Sequence, residues 1–174
     1  MKYISTRDNI KAVSSIEAIK TGMVPKGGLF VPEEIPFITN RQIASWLDLS
    51  YSQLAKKIFS FFLASDFSDE EITQITHKAY TKENFTTEEI APLLKLDNQL
   101  YILELFHGPT GAFKDIALQV LPHLLSLIIK KVSLNQQLLI LVATSGDTGK
   151  AALEGFKNIP GIQIIVYYPF QKSE

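Results

Sequence analysis

Two short stretches carry residue types that can do chemistry. The first is His107-Gly108-Pro109-Thr110-Gly111-Ala112-Phe113-Lys114-Asp115, which the surrounding pattern places between a strand and a helix. Glycines let the backbone approach a ligand closely, and Pro109 stiffens the turn. Lys114 falls at the first turn of the following helix. The positive end of the helix dipole, with partial burial behind Phe113, would favour the neutral amine there, a nucleophile able to condense with a carbonyl. The same residues also suit a solvated lysine beside a core aromatic, and residue chemistry alone leaves both readings open. The second stretch is Ala143-Thr144-Ser145-Gly146-Asp147-Thr148-Gly149-Lys150, again between a strand and a helix. Its hydroxyls, glycines and free helix-start N–H groups could cradle an anion. It is not a Walker loop: only Asp147 and Thr148 separate Gly146 from Gly149-Lys150, and Ala151 follows. A plain helix start with turn glycines is the alternative.

The elements that must position these loops change character along the chain. Residues 1 to about 90 read as short helices between proline- and glycine-punctuated turns. Ser14-x-x-Glu17, Ser50-x-x-Gln53 and Ser68-x-x-Glu71 are capping boxes, the first helix stopping at Gly22 and the third carrying Asp69, Glu70 and Glu71 in its first turn. Pro25, Gly27, Gly28, Pro32 and Pro36 break the chain around an extended piece, Leu29-Phe30-Val31. From about residue 93 the pattern becomes strand (93–96), tight turn at Asp97-Asn98, strand (100–105), loop, helix (about 115–133), strand (137–143), loop, helix (about 147–158) and strand (162–168). The apolar run from Gln137 to Ala143 suits a strand buried on both faces. Alternating strands and helices predict a parallel α/β sheet, with ligands at the C-terminal strand ends, where both loops sit.

Composition narrows the function classes. The chain has 174 residues, 17 Lys+Arg against 18 Asp+Glu, a net charge of −1 and 46% apolar residues. That balance gives no electrostatic footprint for nucleic acid or an anionic membrane. With no cysteine there is no disulfide, thiolate zinc site or iron–sulfur cluster. The most apolar stretch, Leu118 to Val132, is interrupted by Gln119, Pro122, His123, Lys130 and Lys131 and is too short to span a bilayer. A cytoplasmic protein that binds neither nucleic acid nor membrane is expected. His77 and His123 have no acidic or histidine neighbours at metal-ligand spacing, so no metal site is expected.

The run from Leu105 to Asp115, followed by Ala143 to Gly149, resembles the threonine synthase family, fold type II enzymes that use pyridoxal 5′-phosphate (PLP). Tyr3-x-Ser5-Thr6-Arg7 and Gly27-Gly28-Leu29-Phe30-Val31-Pro32-Glu33 resemble the family's N-terminal region, so the resemblance covers nearly the whole chain; Lys26 departs from the acidic residue often found there. It implies a small, mostly helical N-terminal domain over residues 1–90. The start of a parallel βαβαβ sheet of the tryptophan-synthase-β-like PLP fold would follow over 91–174. It implies that Lys114 holds PLP covalently and is the catalytic acid/base, that Phe113 lines the cofactor pocket, and that Asp147, where other fold type II enzymes usually carry Asn, also binds the cofactor. Thr144, Ser145, Gly146 and Thr148 would face the cofactor's 3′-oxygen side and the substrate carboxylate. His107 and Thr110 lie within the motif and receive no catalytic role.

The activity implied is conversion of O-phospho-L-homoserine and water to L-threonine and phosphate. The family's glycine-rich loop for the cofactor phosphate would lie beyond Glu174, so this stretch alone is expected to hold cofactor weakly and to be inactive. The alternatives are a threonine-synthase-like phospho-lyase on a related substrate, and a non-catalytic phosphate- or nucleotide-binding α/β module.

Overall fold

The computed structural model describes residues 1–133 and 137–170. The chain forms two compact units, one from Met1 to His77 and the other from Lys78 onward. Among the described residues no helix is long and apolar enough to cross a membrane.

In the first unit β1 (Tyr3–Ser5) pairs antiparallel with β2 (Phe30–Pro32). The sequence pattern shows the extended piece at β2 but gives no sign of β1. The pairing explains why two distant motifs co-occur: Thr6 and Leu29 exchange hydrogen bonds, the Thr6 N–H donating to the Leu29 carbonyl and the Leu29 N–H to Thr6 Oγ1, both at 3.0 Å. Gly28 has φ +103° and packs directly on Ser5, Thr6 and Arg7, where a side chain would be both strained and obstructed. Four helices complete the unit: α1 (Ser15–Thr21), α2 (Asn40–Ser45), α3 (Tyr51–Leu63) and α4 (Asp69–Ala79). Reciprocal capping boxes open α3 and α4 as the sequence predicts. Thr39-x-x-Gln42 opens α2 in the same way, a signal that the sequence reading passed over. At α1 the box is only half made: Ser14 caps Glu17 N–H, while the Glu17 carboxylate turns to Lys20 and Thr21. Gly22 closes α1 with φ 73°. A second acceptor reaches α1 from far along the chain, since Asp66 Oδ2 takes both the N–H (2.9 Å) and the hydroxyl (2.6 Å) of fully buried Ser15. Burial alone would raise the Asp66 pKa, but hydrogen bonds from Ser15 and Ser65 and the charge of Lys2 win and hold it below 3.8.

The second unit holds the predicted hairpin, β3 (Leu93–Lys95) and β4 (Tyr101–Leu103), and a parallel pair, β5 (Leu138–Ala143) and β6 (Ile162–Tyr167). Helix α7 (Asp147–Phe156) is the crossover between β5 and β6. The sequence pattern suggested that the strand before Lys114 joins this parallel sheet. Instead β4 hydrogen-bonds to β3, and among the described residues no strand pairs with β5 except β6. The expectation that 137–143 is buried on both faces is also corrected. Side chains alternate along β5, and Leu139 and Leu141 on one face are 47% and 61% exposed, since no described element covers that face.

The expected helix 115–133 is two helices, α5 (Asp115–Leu118) and α6 (Leu121–Lys131). The cause is Pro122, which sits in the first turn of α6 and has no N–H to donate to the Leu118 carbonyl. That carbonyl packs instead on Gly155 of α7, so closely that a methyl group at Gly155 would overlap it. The apolar core of the unit gathers around this contact: Leu124, Leu125 and Ile128 from α6, and Ala151, Ala152 and Phe156 from α7.

Two stability predictions result. Gly155→Ala should lower the unfolding free energy by about 1–3 kcal/mol, the usual cost of overpacking a close contact, read by urea denaturation. Asp66→Asn should cost about 1 kcal/mol at neutral pH, after discounting for solvent screening. Because the folded-state pKa of Asp66 is depressed, its contribution is present above the unfolded-state value and is lost as pH falls through the folded one. The stability gap between the two proteins should therefore close in acid.

Candidate functional site

The loop between β4 and α5 has little regular structure, and one buried side chain organises it. Asp115, the first residue of α5, is fully buried. Its Oδ2 accepts the Thr110 N–H at 2.9 Å and its Oδ1 the Thr110 hydroxyl at 2.7 Å, so both oxygens are satisfied out of water. Gly108 lies so close to the Asp115 side chain that any Cβ there would overlap it. Upstream, the loop is fastened at His107. Its carbonyl accepts from Thr86 N–H at 2.9 Å, and its ring nitrogens contact Thr86 Oγ1 at 3.0 Å and Glu104 Oε2 at 2.7 Å. The sequence reading gave Thr110 and His107 no catalytic role and did not consider Asp115. All three hold the loop in place, and the visible signal was a turn of glycines around a threonine five residues ahead of an aspartate.

Lys114 directly precedes α5 at its N-cap position. Its side chain is 29% exposed, and Nζ meets Asp147 Oδ1 at 2.8 Å. The ammonium also lies over the Phe113 ring, 4.7 Å from its centroid. Phe113 itself is 60% exposed. It is therefore neither a core residue nor a cover over the lysine, and the expected burial behind it is replaced by a ring face offered to the amine. The hydrogen bond from Lys114, and then its charge, hold the Asp147 carboxyl below its ordinary value of 3.8, with the Thr148 and Asp147 N–H groups adding to the effect.

The two loops expected to share a site thus do meet, although they do not stem from hydrogen-bonded neighbouring strands. The packing of α5 on α7 brings them together, with Lys114 at the start of one helix and Asp147 at the start of the other. In the second loop Gly146 N–H donates to Thr144 Oγ1 at 3.2 Å, so one of the helix-start donors expected to bind an anion is engaged locally. Thr144 and Thr148 are half-buried, whereas Ser145 and Gly146 are exposed. Ser145 lines a cavity of about 440 Å³ with Tyr168, Pro169 and Phe170. Chemically, the pair of loops offers a solvent-reached ammonium held by an ionised carboxylate. An aromatic face stands beside the ammonium, and the exposed Ser145 hydroxyl opens on a hollow otherwise lined by Tyr168, Pro169 and Phe170.

This helical first unit, followed by an α/β unit with its lysine at a strand-to-helix loop, has the tryptophan-synthase-β-like fold of type II PLP enzymes. Within that class the chain matches the N-terminal region of the threonine synthase family. The family model described as "Threonine synthase N terminus" matches residues 2–80. The chain is 39% identical to the threonine synthase of Pseudomonas aeruginosa over 172 residues, covering 99% of this chain and 36% of that protein. It is 36% identical to threonine synthase-like 2 of Xenopus laevis, over 97% of this chain and 35% of that one. Among solved structures, the PLP-bound threonine synthase of Brucella melitensis superimposes with a TM-score of 0.91 at 33% identity, covering 97% of this chain and 36% of that chain. The chain therefore spans about a third of the length of the relatives it matches.

Thr110→Val keeps the shape of the side chain but strips a buried carboxyl group of its hydroxyl donor. It should cost about 1–3 kcal/mol in urea denaturation, whereas Thr110→Ser, which keeps the hydroxyl, should remain close to the parent protein.

Proposed function

We propose that this chain is the front part of a PLP-dependent lyase that converts O-phospho-L-homoserine and water to L-threonine and phosphate. The observation that carries this reading is the meeting of Lys114 with Asp147 across two loops of the threonine-synthase type, in a chain whose fold matches that family. The residues suit PLP by their chemistry: a solvent-reached amine for its aldehyde, the Phe113 ring face beside that amine, and a hollow that pairs the Ser145 hydroxyl with the Tyr168 and Phe170 rings. Bound there, PLP would supply an electron sink for carbanion chemistry at the amino-acid carbons.

The remaining steps belong to the protein. Lys114 would hold the cofactor, release it to the substrate amine, and then carry protons to and from Cα and the carbons beside it. Asp147 would orient the Lys114 side chain through the 2.8 Å contact. Thr144, Ser145, Gly146 and Thr148 would receive the substrate carboxylate, with the exposed Ser145 hydroxyl as a donor. The expected N-terminal domain over residues 1–90 and the α/β domain over 91–174 would serve as the supporting and cofactor-bearing regions. A threonine-synthase-like phospho-lyase is the second reading, supported by the comparable identity to threonine synthase-like 2. Analysis of the product formed from O-phospho-L-homoserine separates the two.

The test is borohydride reduction of the protein, in the longest form its gene encodes, with PLP, followed by peptide mass mapping. A pyridoxyl adduct on Lys114 and complete loss of turnover in Lys114→Ala are expected. An unmodified Lys114 in folded protein, or full activity of the variant, would refute the assignment.

A further inference from the structure

Glu104, His107 and Thr86 form a chain of polar contacts to which the proposed chemistry gives no part. Glu104 Oε2 lies 2.7 Å from His107 Nε2, and His107 Nδ1 lies 3.0 Å from Thr86 Oγ1. The imidazole and the carboxylate are mostly sheltered, their side chains 15% and 24% exposed. The Phe106 ring lies against the imidazole, centroid to centroid 4.7 Å. Glu104 is itself fixed from behind, since its N–H donates to the Pro92 carbonyl at 2.9 Å, at the base of the β3–β4 hairpin.

The donors and acceptors along this chain allow one arrangement of the neutral ring. A carboxylate only accepts, so Nε2 carries the ring proton. Nδ1 is then a lone pair, and the Thr86 hydroxyl donates to it. Thr86 thereby gives His107 two hydrogen bonds, the second from its N–H to the His107 carbonyl at 2.9 Å. The opposite tautomer would set the Nε2 lone pair against the carboxylate and turn the Thr86 hydroxyl proton away from the ring. Glu104 therefore selects the tautomer, and the tautomer decides whether Thr86 holds His107 by its side chain as well as its backbone. From His107 the route to Lys114 is short. The next residue, Gly108, packs on the Asp115 side chain so closely that a Cβ would overlap it. Asp115 opens α5 directly after Lys114, so a shift at His107 moves Gly108 against the side chain that anchors the helix.

We propose that Glu104 is a positioning residue for the lyase reaction: by keeping the proton on His107 Nε2 it locks the entry of the loop, and so aims the Lys114 amine at the substrate carbons. It acts only through His107. The effect on turnover rests on the lyase reading, whereas the tautomer does not. Substrate binding falls to residues 144–148 on the other loop, so a displaced amine lowers kcat and leaves KM near its parent value.

The experiment uses the protein in the longest form its gene encodes, isotope-labelled at histidine, with His107→Gln to identify the His107 ring signals. With the ring neutral, its nitrogen resonances should place the proton on Nε2 in the parent and in Glu104→Gln, whose amide oxygen also accepts. In Glu104→Leu the proton should shift toward Nδ1. Glu104→Leu should lower kcat about tenfold or more with little change in KM, since a displaced reacting group is costly even when the displacement starts far from the chemistry. Glu104→Gln should recover most of that loss. Thr86→Val, at an exposed site, removes the hydroxyl and should lower kcat in the same direction with the proton still on Nε2; it carries the test if Glu104→Leu does not fold. The proposal is overturned if the parent holds the proton on Nδ1, if the loss in Glu104→Leu falls on KM, or if Glu104→Leu and Thr86→Val both turn over as the parent does. Borohydride reduction with PLP separates the two failures. A Lys114 adduct in the parent, with undiminished turnover in both variants, refutes this proposal alone, whereas an unmodified Lys114 in the parent refutes the lyase reading and the kcat effect with it.

Discussion

A carboxyl group taken completely out of water must have both oxygens satisfied, and Asp115 meets that requirement with a single residue, Thr110. The chain between β4 and α5 is held there largely without a backbone ladder. What fixes it is the demand of the buried side chain, the absence of a side chain at Gly108, and the clamp on His107 from Thr86 and Glu104. α5 starts where Asp115 is anchored, so the preceding residue, Lys114, leaves the turn in a determined direction. The position of the Lys114 amine is thus set by a residue that makes no contact with it.

The other end of α5 is set with equal economy. Pro122 removes the hydrogen bond that would have carried the helix on, and the carbonyl released by that break seats against Gly155. Two helices can approach so closely only where one of them has no side chain. This contact fixes α5 against α7, and through α7 it fixes Asp147 relative to Lys114. The 2.8 Å pair is exposed enough that its own net contribution to folding is small. It is a consequence of the packing behind it, and it gives the site a carboxylate already ionised beside an amine.

Much of this was legible in the residues. The capping boxes at Ser50 and Ser68 use local hydrogen bonds between positions three apart, so sequence spacing alone reveals them. The stop at Gly22, the hairpin around Asp97-Asn98 and the β5–α7–β6 crossover are similarly local in origin. The two loops stood out because glycine, hydroxyl and lysine side chains cluster there without any apolar periodicity. The pairing of β1 with β2 was hidden because it depends on partners more than twenty residues apart. The same holds for Asp66 capping α1 from a distance of 51 residues.

By itself, then, the sequence determined the local elements and the α/β alternation of the second half, since each depends on side-chain period or on capping within a few residues; it also marked the two loops that meet, through their clustered glycine, hydroxyl and lysine residues. Tertiary structure decided the rest. It paired β4 with β3 rather than with β5, broke one expected helix into two at Pro122, and left the Leu139–Leu141 face of β5 open. It also turned Phe113 outward and brought Lys114 to Asp147 through helix packing. These outcomes depend on which surfaces can approach without overlap and which buried polar atoms find partners. Both are properties of residues distant in the chain, and no local pattern encodes them.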